Sequence, residues 1–569
     1  MKKTLFLSLL GLLLLGCQKD NIVLIDPISV DDSDDDITNT TFAQTVLVAF
    51  SENANATVEG TNDDFTVTVS NNDVTIVYTG DEYVMYELSG GTTDGFFKLY
   101  SPRKQGITLN GVSIANPNGA AINVQGPQAT PNKGKRTFVV INGTNSLYDG
   151  ASYTETPSEE DEKGVLFGEG QFIFSGEGRL YVTATGKNGI VSDDYLNFKS
   201  GEIYVTSSAG HGIRGKDCIL VSGGEIQVGV SADMKKGFST DGYVVIDGGT
   251  TSINVTGGTA YDSEDGEYTG SAGIKADGYF KMNGGGLTIT NTGTGGKGIS
   301  TDGNGYFNGG HVEVFATGNN YGSNGGGGFP GGGGGGSSAS SVSAKGIKCD
   351  GNLVFSGGKV TVNSTAHEAI EAKGSITITD GEVVAISQAD DAINSGSDFT
   401  ISGGHVFGYS KGNDGLDANG NFYLKSGVVY AIGSSSPEVA IDANTEGGYK
   451  MYLTGGTLIA IGGLESGSSL SQSCYSASSW TQNTWYGLTV GSKTYAFMTQ
   501  SSGGTPLVVS GATTPTLKSG VSYSGGTSYF ENWLFEDATI SGGTEVSLSS
   551  YSGGNGGGGG PGGGGHGPF

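Results

Sequence analysis

The chain has 569 residues, 105 of them glycine, and carries 57 acidic against 29 basic residues for a formal net charge of −28. A polyanion needs a basic face, so this balance argues against nucleic acid as a partner. Three cysteines beyond residue 17, widely spaced and without a Cys-x-x-Cys pair, make zinc and redox chemistry poor fits.

Residues 1–16 read as a bacterial lipoprotein signal: Lys2 and Lys3, an apolar run, then Leu14-Leu15-Gly16 before Cys17, the expected lipidated N-terminus. An ordinary signal peptide with an incidental cysteine is the alternative. Gln18 after the cysteine resembles lipoproteins sent to the outer membrane, and Gln18-Lys19-Asp20 is similar to surface-export tags. The expected location is therefore the outer membrane, lipid-anchored and exposed at the cell surface. Residues 17–45 read as a flexible acidic tether, too polar to fold. No second apolar run is long enough to span a bilayer.

Residues 46–163 contain alternating strands such as FTVTVSNNDVTIVYTG and are expected to form an N-terminal β region that caps an open sheet end. From 164 to 463 a strand unit repeats, starting at Gly164, Gly189, Gly212, Gly237, Gly273, Gly298, Gly346, Ala369, Ala392, Gly415 and Ala440, with most steps 23 or 25 residues. Period-two hydrophobicity, glycine corners and a fixed period mean a solenoid. The expected fold is all-β, a parallel β-helix of about eleven coils with three short strands each. Inward residues should stack at about 4.8 Å. One apolar ladder runs Val165, Ile190, Ile213, Phe238, Ile274, Ile299, Ile347, Ile370, Ile393, Leu416, Ile441. Two places on stands a column of small residues, including Cys349, Ala372, Ser395 and Ala418, which reads as a tight interior corner. Cys349 in that column is expected to be a buried, inert thiol. Insertions near 261–269 and around Phe329 should bud from one face. Residues 464–550, holding Trp480, Trp485 and Trp533, form a C-terminal β region, and 551–569 a glycine-rich disordered tail.

Catalytic motifs are missing. His367-Glu368 lacks the second histidine of a zinc protease helix, and no histidine has a partner at catalytic spacing. The charges instead fall at equivalent places in successive coils. Before the starting residue come Lys236, Lys297 and Lys345, then Glu368, Asp391 and Asp414. Two places after it come Lys275 and Lys348, then Glu371, Asn394, Asp417 and Asp442. The sign switches near residue 360. Like charges about 4.8 Å apart repel by roughly 1 kcal/mol in water and roughly 3 to 4 kcal/mol at an effective dielectric of 20. Calcium suits such a surface, since it accepts six to eight oxygens in loose geometry. Candidate ligands are Glu368, Glu371, Asp390, Asp391, Asp414, Asp417 and Asp442, with a solvated acidic face as the alternative. Asp241, Asp277, Asp302 and Asp350 are weaker candidates, because each precedes a glycine and serves turn chemistry equally well.

The segments KRTFVVINGTNSLYDGASY, EKGVLFGEGQFIFSG, NGIVSDDYLNFKSGEIYV, AGIKADGYFKMNGG and DGLDANGNFYLKSG resemble a bacterial family of extracellular, calcium-containing β-helix proteins that bind carbohydrate. The resemblance spans roughly residues 46 to 530. It implies a right-handed parallel β-helix, calcium at coil-corner carboxylates such as Asp277 and Asp417, and non-catalytic binding of cellulose-like or acidic pectin-like polysaccharide. Ala369, Ala392 and Ala440, where glycine often starts the coil, depart from the family pattern.

Three functions follow. The first is a surface lipoprotein that binds polysaccharide, with Tyr243, Tyr279 and Tyr306 as stacking platforms or turn packing, and Lys345 and Lys348 as possible sugar contacts. The second is a calcium-dependent polysaccharide lyase, which needs a basic Lys345 or Lys348 beside the metal. The third is a structural adhesin without glycan binding.

Overall fold

A computed structural model describes residues 33–130, 132–154, 160–322 and 341–553. The signal segment, Cys17, the glycine-rich insertion around Phe329 and the tail from 554 lie outside the described residues.

The architecture is a parallel β-helix. One face is a fourteen-stranded sheet among the described residues. It begins with Phe65–Ser70 antiparallel to Asp73–Tyr78; every later strand, from Phe96–Tyr100 to Leu416–Ala418, lies parallel on its predecessor. The other two faces belong to a second sheet, whose strands Leu353–Ser364, Ile376–Ser387 and Phe399–Ser410 each turn a corner at a glycine. Gly358, Gly381 and Gly404 occupy that corner at φ of +75°, +89° and +72°. A Cβ on Gly358 would lie 2.6 Å from the Gly309 carbonyl carbon of the coil below, so the corner has room only for glycine.

The apolar ladder stacks as expected from Ile190 through Ile213, Phe238, Ile274, Ile299, Ile347, Ile370, Ile393 and Leu416, and single bridges carry it to Ile441 and Leu464. One rung differs, because Leu166 rather than Val165 pairs with Ile190. Val165, Leu166 and Phe167 are all buried, so alternation did not mark which of them continues the ladder. Each fully buried side chain of this kind contributes about 1.5–3 kcal/mol. Elsewhere in the core Phe174 stacks on Phe198 at 4.8 Å and Phe307 on Phe355 at 5.0 Å. Cys349 is buried within its column, and burial pushes its thiol well up.

Parallel stacking also reaches upstream of residue 164. Gln44–Phe50, Val84–Thr92, Gln105–Asn110 and Thr137–Asn142 pair in succession, so much of 46–163 forms coils in its own right. Antiparallel Thr57–Glu59 lies on the first of these strands, and Phe65–Ser70 edges the neighbouring face. At the far end Leu507–Ser510 runs antiparallel to Thr457–Ile461. A six-stranded antiparallel sheet then packs Leu488 and Phe497 into a second core with Phe407 and Tyr430.

The acidic tether is a correction over its described part. Asp35 is fully buried: Arg136 Nε lies 2.8 Å from it, and it accepts hydrogen bonds from Tyr195 Oη at 2.6 Å and Asn197 Nδ2 at 2.7 Å. Local polarity predicts no fold for 33–39, but a cation and two donors on the side of the stack hold that segment down. The insertion at 261–269 is a hairpin of Ala260–Asp262 and Glu267–Thr269.

Candidate functional site

The strand that starts each coil in the second half of the stack is three residues long, apolar-x-small, and only its middle side chain faces outward. Stacking therefore builds the outer column Lys348, Glu371, Asn394, Asp417, each on the one before. Just ahead of the strand, Glu368, Asp391 and Asp414 form a column that is nearly withdrawn from water, at 5%, 4% and 8% exposure. Some of their oxygens are used along the stack: Asp414 N–H donates to Asp391 Oδ1 at 3.0 Å, and Val439 N–H to Asp414 Oδ1 at 2.5 Å.

The acidic residues divide into two groups with opposite electrostatics, and in each group ligand atoms from three residues lie within 4.8 Å of one another. In the first, His367, Glu368 and Asp390 meet. His367 Nδ1 contacts Glu368 and stands 2.9 Å from Asp390, while Lys345 Nζ lies 3.1 Å from Glu368 and 2.6 Å from Glu371. Burial works against charge here, yet the two carboxylates raise His367 to about 9, and the His367 hydrogen bond brings Asp390 down to about 2. This group carries its own cations.

The second group, Asp414, Asp417 and Asp442 with Asp391 beside it, has none. Burial first, and then the neighbouring carboxylates, push Asp414 up to about 8 and Asp391 well above its ordinary value. Asp417 rises to about 6 and Asp442 to about 10, with Asp442 hydrogen-bonded to both Asp417 and Glu465. Asp414 and Asp442 therefore hold protons at neutral pH unless a cation replaces them, while Asp417 is raised but largely ionised. Clustered acidic oxygens with no internal counter-ion match the hard, flexible coordination of calcium.

Other expected residues stand elsewhere. Asp241 pairs with Arg214 at 2.7 Å, Asp277 and Asp302 with Lys275 at 3.1 and 2.5 Å, and Asp350 with Lys348 and Lys373 at 2.7 and 2.9 Å. Each faces a cation, and together they form no common cluster. Tyr243 is buried at 6% exposure and stacks on Tyr279 at 4.7 Å, with Tyr306 edge-on at 6.4 Å. Tyr243 thus packs against the stack, while half-buried Tyr279 and Tyr306 retain some exposed ring. More open stacked pairs are Tyr181 with Tyr204, at 4.9 Å, and Tyr423 with Tyr452, at 5.1 Å.

Two residues escaped the sequence reading. His367 serves as a counter-ion to carboxylates from its own and the following coil, a partnership that motif spacing does not encode. Glu465 continues the outer acidic column, and the signal for it was present: it lies 23 residues after Asp442, one more repeat.

Comparison with known proteins adds a family. A model of carbohydrate-binding domain-containing proteins matches residues 70–272 and 228–392, together more than half of the chain. A solved structure, that of the polysaccharide lyase-like protein from C. thermocellum as a gadolinium derivative, is 20% identical over 48% of this chain and 92% of that one, with a TM-score of 0.31. No curated protein matches.

Proposed function

Because the chain belongs to the family of carbohydrate-binding domain-containing proteins, we propose that it is a non-catalytic surface lipoprotein that binds polysaccharide, acidic pectin-like or cellulose-like, with calcium held at Asp414, Asp417 and Asp442 beside Asp391. The lipid would be carried on Cys17 at the outer membrane. One observation supports the calcium most: among the described residues this cluster has no lysine or histidine within it, and burial, with the neighbouring carboxylates, keeps Asp414 and Asp442 protonated at neutral pH in its absence. The ion would replace those protons, hold successive coils together, and offer its remaining positions to sugar oxygens.

The lyase reading requires a neutral lysine next to the acids. Lys345 is held charged despite its burial, because Glu368 and Glu371 flank it, and Lys348 is occupied by Asp350. Both arrangements favour binding over proton abstraction.

The test is retention of the mature protein, lacking residues 1–16, on polygalacturonate and cellulose with calcium and with chelator, while released product is monitored. Calcium-dependent retention without product is expected. Unsaturated product would establish a lyase, and no retention under either condition would leave the adhesin.

A further inference from the structure

The basic half of the stack has a cleft of its own. It encloses about 680 Å³ between the stack face and the hairpin at 260–269, and Lys236, Lys275, Lys297, Ser239 and Ser300 are among the residues lining it. Register explains the opening. Lys236 is aligned with Ala272, and Ala272 with Lys297, so the two lysines stand two strands apart, about 9–10 Å, on either side of a methyl group. In the adjacent column Lys275 falls between Ser239 and Ser300, both of which are buried.

Several cations of this half are matched. Arg214 pairs with Asp241, Lys275 with Asp277 and Asp302, and Lys348 with Asp350. Lys236 and Lys297 are different. Lys236 Nζ donates only to the Met234 carbonyl, and among the described residues neither lysine has a carboxylate within ion-pair distance. Both ammoniums are pushed down to about 8, first by burial and then by the other lysines around them. The field on the cleft floor is therefore positive, even though acids of the hairpin stand at its rim. Glu264, Asp265 and Glu267 are exposed, where water and salt screen them, and half-buried Asp262 attracts Lys236 only as the smallest of the influences on it, behind burial and the neighbouring lysines; the floor is partly desolvated and its charges act more strongly.

We propose that this cleft is an oxyanion site that takes the carboxylate or sulfate group of an acidic sugar directly on Lys236 and Lys297, with the Ser239 and Ser300 hydroxyls beside them and no metal between. The site rests on the glycan-binding reading but lies in the opposite half of the stack from the calcium cluster. A compact ammonium is well suited to a single oxyanion, and the gap over Ala272 lets the acid group descend between the two.

The experiment is calorimetric titration of the mature protein in chelator with trigalacturonate, a sulfated disaccharide, uncharged cellotriose and inorganic sulfate. At least one acidic sugar is expected to bind, with cellotriose about tenfold weaker or worse, a difference of ~1.4 kcal/mol. The Lys236→Met, Lys297→Met double variant should lose about tenfold in affinity for that sugar. Its melting temperature should hold or rise, since methionine fills similar volume without an unpaired buried charge. Protection of both lysines from acetylation by the bound sugar reads the same site in the unaltered protein. The proposal falls if no acidic sugar binds in chelator, if inorganic sulfate binds while the sugars do not, or if neither lysine is protected. It also falls if a folded double variant binds as the parent does. Chelator keeps this test separate from the calcium reading, which fails instead if melting ignores calcium.

Discussion

Replacing Asp417 with asparagine should stabilise the metal-free protein and abolish its response to calcium. Asp417 sits one coil from Asn394 and next to Asp442, in a column whose outward side chains stack at the strand spacing. Burial first, and then Asp390 and Glu368, raise Asp417 to about 6, and two units above the ordinary aspartate value correspond to roughly 3 kcal/mol of protonation preference. Asparagine preserves shape and removes the charge, as Asn394 already does below it. In chelator at pH 8 the variant should therefore melt a few degrees above the parent. With calcium the order should reverse. Saturation at about a hundred times Kd stabilises the parent by ~2.7 kcal/mol, while the variant has lost a ligand. Calorimetric melting with calcium and with chelator, for both proteins, checks the two signs together. A variant less stable than the parent in chelator, or one with an undiminished calcium shift, would refute the view that uncompensated charge defines this cluster.

In chelator, stability should fall as pH rises from 4 to 8. Asp417 and Asp414 have folded values near 6 and 8, above their unfolded ones, so their contribution is present when they are protonated and is lost as pH passes through those values. Calcium should flatten that decline, and its binding at pH 7 should release protons, measurable from the buffer dependence of the binding enthalpy. Asp35→Ala should free the segment at 33–43 and destabilise the fold by about 1–3 kcal/mol, because Tyr195 and Asn197 lose a buried acceptor; faster proteolysis before the first strand is the readout. Cys349 should resist thiol reagents until the protein unfolds, since its buried thiol disfavours the thiolate.

The repeat was legible because a β-helix writes its core as columns. Once the period is found, Ile213, Ile347 and Leu416 have to fall in one column, and Glu371 and Asp417 have to flank Asn394 in another. The columns failed where side-chain type carried no register, as at Val165 and Leu166, where three apolar residues run together. They also stop short where coils are irregular in length, so the pattern of 84–142 points only to a cap and not to its parallel pairing. Contacts between distant segments were the least legible. Nothing within residues 33–39 announces that Asp35 finds Arg136 a hundred residues later, and only burial and pairing show that His367 and Lys345 neutralise one acidic group while leaving the other bare.

That last distinction bears on how a charged solenoid binds its ligand. A column repeated at strand spacing concentrates like charge unless ion pairs break it, and this stack breaks it in most places: Lys275 between two aspartates, Lys348 and Lys373 on Asp350, Lys345 and His367 among Glu368, Glu371 and Asp390. Among the described residues two clusters stand out as buried and without an internal counter-ion, one positive at Lys236 and Lys297, and one negative at Asp414, Asp417 and Asp442. Buried charge without a partner destabilises a fold, so a scaffold that neutralises its other columns would gain nothing from these two in isolation. On the readings proposed above, each would be stabilised by an external ion of the opposite sign, an acid group for the lysines and a divalent cation for the aspartates. An acidic polysaccharide with its calcium supplies both, and a chain lying along the stack axis would meet them in turn.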